Sequence, residues 1–121
     1  KGQIWKYVPS PREGTDGEWD EPATLQLFVE ADEGALLENA DNLTMAPWGD
    51  LIVCEDGTGD DYLVGVTPDG DLYRFAHNAR STGEFAGACF SPDGSTLFVN
   101  MQSEALTLAI TGPWHQRGAP S

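Results

Sequence analysis

The sequence predicts an all-β chain of antiparallel four-stranded blades, a partial β-propeller of about nine strands. Two observations carry this. First, one turn formula occurs three times, as Ala46-Pro47-Trp48-Gly49-Asp50-Leu51, Thr67-Pro68-Asp69-Gly70-Asp71-Leu72 and Ser91-Pro92-Asp93-Gly94-Ser95-Thr96. In each, a proline suited to the first corner of a turn is followed two residues later by a glycine able to take positive φ, and a strand-like run comes next, which marks a β-hairpin. Second, the prolines stand at 47, 68 and 92. Two intervals therefore span about 45 residues, the period of a blade that holds two hairpins.

Taken in order, Ile4, Trp5, Tyr7 and Val8 form a short strand that Pro9 and Pro11 end, since proline cannot donate to a ladder. Residues 10–23, rich in Gly, Glu, Asp and Pro, read as a polar loop. Thr24-Leu25-Gln26-Leu27-Phe28-Val29 alternates as a half-buried strand does. An acidic link from Asp32 to Ala40 is expected to include one helical turn around Leu36 and Leu37. Strands at about 43–46, 51–55, 62–67 and 71–76 make a complete blade, joined by two copies of the turn formula and the Asp56–Asp61 loop. His77 to Gly83 crosses to strands at about 85–90, 95–101 and 105–110, after which Gly112-Pro113-Trp114 breaks the pattern. The expected division is a partial blade over 1–31, a complete blade over 41–76, a partial closing blade over 84–114 and a polar tail over 115–121. A propeller closes by completing the blade of one chain end with a strand from the other, because an open edge invites association. With the last blade one strand short, the expectation is the C-terminal segment of a longer closed propeller, whose open edges would self-associate if it were folded alone.

Composition narrows the function. With 20 acidic and 6 basic residues the formal charge is −14, so a polyanion meets repulsion and nucleic acid is not an expected partner. No apolar run approaches the ~20 residues of a membrane helix, and no membrane partner is expected. No signal peptide is visible in the stretch. Cys54 and Cys89 both lie in apolar runs and read as buried small hydrophobes. His77 and His115 have no second histidine at ligand spacing, and no G-x-S-x-G elbow supports a serine nucleophile. Trp5, Trp19, Trp48 and Trp114 read as packing groups between blades.

The candidates that remain are carboxylates. Asp41 precedes the first strand of the complete blade and Glu84 stands at the equivalent point of the next. Innermost strands open onto a propeller's central channel, where oxygen ligands from several blades can share a hard cation. An Asx-type turn at Asp41 and a solvated Glu84 are the plainer alternatives. Glu55, at the end of the second strand, can reach a metal or bind backbone N–H groups of the loop that follows. That loop, Asp56-Gly57-Thr58-Gly59-Asp60-Asp61, lacks the spaced ligands of an EF-hand.

Three joined runs resemble one family. Asp41-Asn42-Leu43-Thr44-Met45-Ala46-Pro47-Trp48 continuing to Cys54-Glu55-Asp56-Gly57, then Leu63-Val64-Gly65-Val66-Thr67-Pro68-Asp69-Gly70, and Glu84-Phe85-Ala86-Gly87-Ala88-Cys89-Phe90-Ser91-Pro92-Asp93-Gly94 with the closing Ile110-Thr111-Gly112-Pro113-Trp114, are similar to the C-terminal part of the PhoX alkaline phosphatases. The resemblance covers about residues 1–114. It implies a six-bladed propeller enzyme, exported by the twin-arginine route to the periplasm or beyond, that hydrolyses phosphomonoesters with iron and calcium in its channel. It also implies that Asp41 and Glu84, and more weakly Glu55, are metal ligands, with the family's cysteine ligand and phosphate-binding groups lying upstream. The segment alone is then expected to be inactive. A non-catalytic propeller module and a calcium-dependent lactonase propeller are the alternatives.

Overall fold

All three proline-glycine turns close as hairpins in the computed structural model, which describes residues 2–32 and 34–114. Ala46 N donates to Asp50 O at 2.8 Å, Thr67 N to Asp71 O at 2.9 Å and Ser91 N to Thr96 O at 2.8 Å. The glycines at their centres, Gly49, Gly70 and Gly94, take φ of 97°, 90° and 71°, a region L-residues avoid.

These turns and the loops between them join β1 (Gln3–Val8), β2 (Thr24–Glu30), β3 (Ala40–Met45), β4 (Leu51–Glu55), β5 (Tyr62–Val66), β6 (Leu72–His77), β7 (Phe85–Phe90), β8 (Thr96–Met101) and β9 (Leu106–Thr111). They form antiparallel sheets ordered β1-β2, β3-β4-β5-β6 and β7-β8-β9. The chain is therefore all-β, in two-, four- and three-stranded sheets, as a partial propeller requires, and among the described residues the sheets form no closed ring.

The middle sheet organises the packing. Its central strands β4 and β5 pair Val53 with Val64 and Cys54 with Leu63. Because side chains alternate across a strand, Val53, Val64 and Val66 meet Ile4, Val29, Ala31 and Leu37 on one face. On the other, Ile52, Cys54 and Leu63 meet Phe85, Leu97, Val99 and Met101. β7 packs directly on β3 and β4. Trp48, from the first turn, stacks on Phe75, meets Phe90 edge-on and lies tilted against Trp114, at ring-centroid distances of 6.1, 5.7 and 6.0 Å. Its indole N–H and the Tyr73 hydroxyl both donate to the buried Asp50 Oδ2, at 2.8 and 2.6 Å.

Several local expectations are corrected. No helical turn forms around Leu36 and Leu37; the short helix is a 3₁₀ turn at Asp16–Trp19 in the first loop. Leu37 is buried by docking on the middle sheet, a tertiary reason rather than a helical one. β3 begins at Ala40, so Asp41 lies inside the strand and not before it. Trp19, in the 3₁₀ turn of the first loop, is almost fully exposed, and Trp5 is half exposed because the β1-β2 sheet is covered on one face only. For the same reason Leu25 and Leu27 on β2 face solvent. Cys54 is buried as expected, whereas Cys89 is exposed, because a register irregularity between Ala86 and Cys89 turns that part of β7. His115 lies outside the described residues.

Candidate functional site

Two bulges face each other where the middle sheet meets the third. On β3, Ala40 pairs with Glu55 and Asn42 with Cys54, which leaves Asp41 as the extra, unpaired residue. On β7, Ala86 pairs with Asn100 and Cys89 with Phe98, so Gly87 and Ala88 together oppose Val99. A bulge bends its strand and re-aims a side chain. Here the two strands are also tied together, since Gly87 N donates to Asn42 Oδ1 at 3.2 Å.

Around this junction stand three carboxylates. Asp41 is carried by β3, Asp56 by the residue following β4, and Glu84 by the residue preceding β7. Their backbones are fixed by ladder bonds running past the strand ends, Asp56 N to Asn39 O at 3.1 Å and Gln102 N to Glu84 O at 3.0 Å. Partial desolvation pushes the Glu84 carboxyl above its ordinary value, followed by the charge of Asp56, a hydrogen bond shared with the Asp56 side chain, and the charges of Asp41 and Asp61. The structure thus brings Asp41 and Glu84 within electrostatic reach of each other. It adds Asp56, which the sequence offered only as part of a loop; the signal that could have singled it out is its position one residue past the strand that pairs with β3.

Beneath the junction Cys54 is fully buried. Burial pushes its thiol up to about 11; a backbone hydrogen bond with Ala88 opposes the rise, and the charges of Asp41 and Glu84 add to it. With no metal beside it, the sulfur therefore keeps its proton at neutral pH.

Glu55 is one residue on from Cys54 and therefore on the opposite face of β4. Both its oxygens accept backbone N–H bonds, Oε1 from Glu38 at 2.8 Å and Oε2 from Tyr62 at 3.2 Å. Burial raises its carboxyl, those two bonds pull it down, and the charges of Asp61 and Glu38 raise it again. It borders an acidic cavity of about 260 Å³ with Glu38, Asp60, Asp61, Tyr62 and Arg74. Asp61 Oδ1 accepts from Gly57 N at 3.1 Å, the Arg74 guanidinium lies 4.3 Å over the Tyr62 ring, and His77 stacks on that ring at 4.7 Å while its Nε2 stands 3.7 Å from Asp60 Oδ2. The sequence places His77 in the loop that crosses to the next sheet, whereas it is the last residue of β6.

Hard oxygen donors crowded at like charge are the chemistry a calcium-type cation takes, and after desolvation the charges of Asp56 and Asp41 add to the rise at Glu84. The donors fit such an ion in kind but not in number: among the described residues no group of three or more His, Cys, Asp or Glu side chains is arranged to hold a metal. No helix among them is long and apolar enough to cross a membrane.

Comparison with known proteins agrees with the motifs. No curated protein and no solved structure matches the chain. The family model described as alkaline phosphatase PhoX matches residues 1–104, which takes in both bulged strands and all three carboxylates. The chain belongs to the PhoX family of alkaline phosphatases.

Proposed function

We propose that this chain supplies one sector of a phosphomonoesterase centre, with Asp41 and Glu84 as carboxylate ligands to calcium and iron in a propeller channel. The observation that carries the reading is the convergence of Asp41, Asp56 and Glu84 from two neighbouring sheets on one junction, where partial desolvation and then the neighbouring carboxylates raise the Glu84 carboxyl. Strand geometry holds these like charges together, and a hard cation relieves their repulsion. Metal bound there supplies charge neutralisation for the phosphate and positions an oxygen nucleophile for in-line attack.

The chain's own residues have narrower tasks. Glu84 would offer its carboxylate to the cation from the residue preceding β7. The β3 bulge frees Asp41 from pairing with β4. Glu55 accepts one backbone N–H bond on each oxygen, so its role here is to brace the ends of the loop that carries Asp56. With 6 basic residues against 20 acidic ones, the chain offers no phosphate clamp, and the other ligands belong to the rest of the centre. The chain alone is accordingly inactive. Family membership supports a phosphomonoester as the substrate class and a periplasmic or secreted location.

The test uses the intact protein loaded with iron and calcium and assayed on p-nitrophenyl phosphate. Chelation is expected to abolish turnover, and Glu84→Gln to lower both turnover and calcium content by about tenfold or more. Turnover indifferent to chelators would sink the metal mechanism. A Glu84→Gln enzyme with full calcium content would remove Glu84 from the ligand set.

A further inference from the structure

We propose that Asn42 is a positioning residue, one carboxamide that ties Asp41 on β3 to the backbone of β7 and so sets where the Asp41 carboxylate stands relative to Glu84. Its Nδ2 donates to Asp41 Oδ2 at 3.2 Å, and its Oδ1 accepts from Gly87 N at 3.2 Å, a residue 45 positions away on the next sheet. The inference rests on the reading of Asp41 and Glu84 as ligands, and it adds a residue that reading does not use.

Two independent features make the arrangement specific. Gly87 sits in the β7 bulge at φ 62°, and a Cβ there would lie 2.9 Å from Asn100 Nδ2. That left-handed backbone favours glycine, and in the bulge its N–H is offered to β3. Asp41 is itself the extra residue of the facing bulge, freed from pairing with β4 and in need of another restraint. A planar amide meets both demands, because it presents a donor and an acceptor from one short side chain. Aspartate in its place would offer two acceptors and a second negative charge beside Asp41.

The test compares Asn42→Ala with Trp114→Phe in the intact protein. The latter removes a different link, Trp114 Nε1 to Gly94 O at 2.8 Å, and serves as a control for lost stability alone. Terbium, a luminescent stand-in for calcium, is titrated under conditions where circular dichroism shows each variant folded. Asn42→Ala is expected to weaken terbium binding by about tenfold, in the range for loss of a group that orients a ligand. Trp114→Phe is expected to lower the melting temperature and leave binding unchanged. Three-bond couplings of Asp41, measured without metal, should report one χ1 rotamer in the wild type and rotamer averaging in Asn42→Ala. Unchanged couplings overturn the positioning role, as does unchanged terbium affinity in Asn42→Ala. If the wild type binds no terbium, it is the ligand reading that fails, and the couplings alone decide the role of Asn42. If Asn42→Ala does not fold, Asn42→Ser, which keeps a hydroxyl within reach of one partner only, is read in the same two measurements.

Discussion

Glu84 shows what one side chain reports about its surroundings. A carboxyl whose pKa is raised by folding binds more protons in the native state than in the unfolded state, so stability falls as pH rises through that window. Glu84 and Glu55 both shift upward from 4.5. Their share of the stability of the metal-free protein is therefore greatest below that value and is lost as pH climbs from it through the raised ones. Glu84→Gln should remove the Glu84 part, so its melting temperature, followed by circular dichroism between pH 4 and 7, should decline less with pH than that of the wild type. Calcium added at pH 7 should stabilise the wild type more than the variant. Parallel pH profiles would show that the crowding of Asp41, Asp56 and Glu84 has no energetic weight. Asp93 shifts the other way, to about 2, because Ser91 and Ser95 donate to its carboxylate in the third turn. That turn is thus at its most stable over the whole range in which Glu84 titrates.

Among the elements, the hairpins carry the most transferable information. Gly94 takes φ 71°, and a Cβ placed on it would come within 2.8 Å of Pro47 in the first turn, on the neighbouring sheet. Gly94→Ala should cost about 2 kcal/mol, from left-handed backbone strain plus the displaced proline. Urea unfolding checks this, and a loss below about 0.5 kcal/mol would mean that the turn relaxes freely. The same turns explain how much of the fold was legible. Proline and glycine at fixed offsets are local signals, so strand number, order and pairing could be read from Pro47, Pro68 and Pro92 outward. The bulges were not legible, because the unpaired state of Asp41 depends on how Glu55 and Cys54 register against Ala40 and Asn42. Exposure at Cys89 follows from the bulge across the gap, and the alternation of β2 could not tell that Leu25 lacks a covering sheet. In the site, Asp41 and Glu84 were visible as candidates from places that look equivalent in the sequence, although Asp41 lies inside β3 and Glu84 before β7. Asp56 and Asn42 were not, since their partners lie on other strands. Nor could the sequence choose between the two roles it left open for Glu55; its bonds to Glu38 and Tyr62 needed the folded loop.

For the molecule as a whole, charge and surface oppose each other. Trp5, Tyr7, Leu25, Leu43 and Met45 are each about half exposed or more, and Trp5, Tyr7, Leu43 and Met45 line an apolar groove of about 340 Å³ along β1. Among the described residues β1 pairs only with β2, and β9 only with β8. Open ladder edges beside apolar surface favour pairing between copies. A formal charge of −14 on each copy resists it, and salt screens that resistance within a few ångströms at 1 M. Size-exclusion chromatography with light scattering should therefore show association that grows with salt and protein concentration and is suppressed by Tyr7→Lys. A monomer at every salt concentration would mean that these edges are protected.

The burial of both faces of the middle sheet carries a consequence for how the protein opens. Val53 and Val64 are covered from one side, Ile52 and Leu63 from the other, so β4 and β5 reach water only after a flanking sheet has come away. Opening is then a peeling process along a line of nearest neighbours, as in stacked repeat proteins. Amide hydrogen exchange should be slowest at Val53 and Val64, intermediate in β8, and fastest in β1 and β2, whose outer face has no cover. The rates would trace a gradient across the stack, steep on the side of the two-stranded sheet and shallow toward β9.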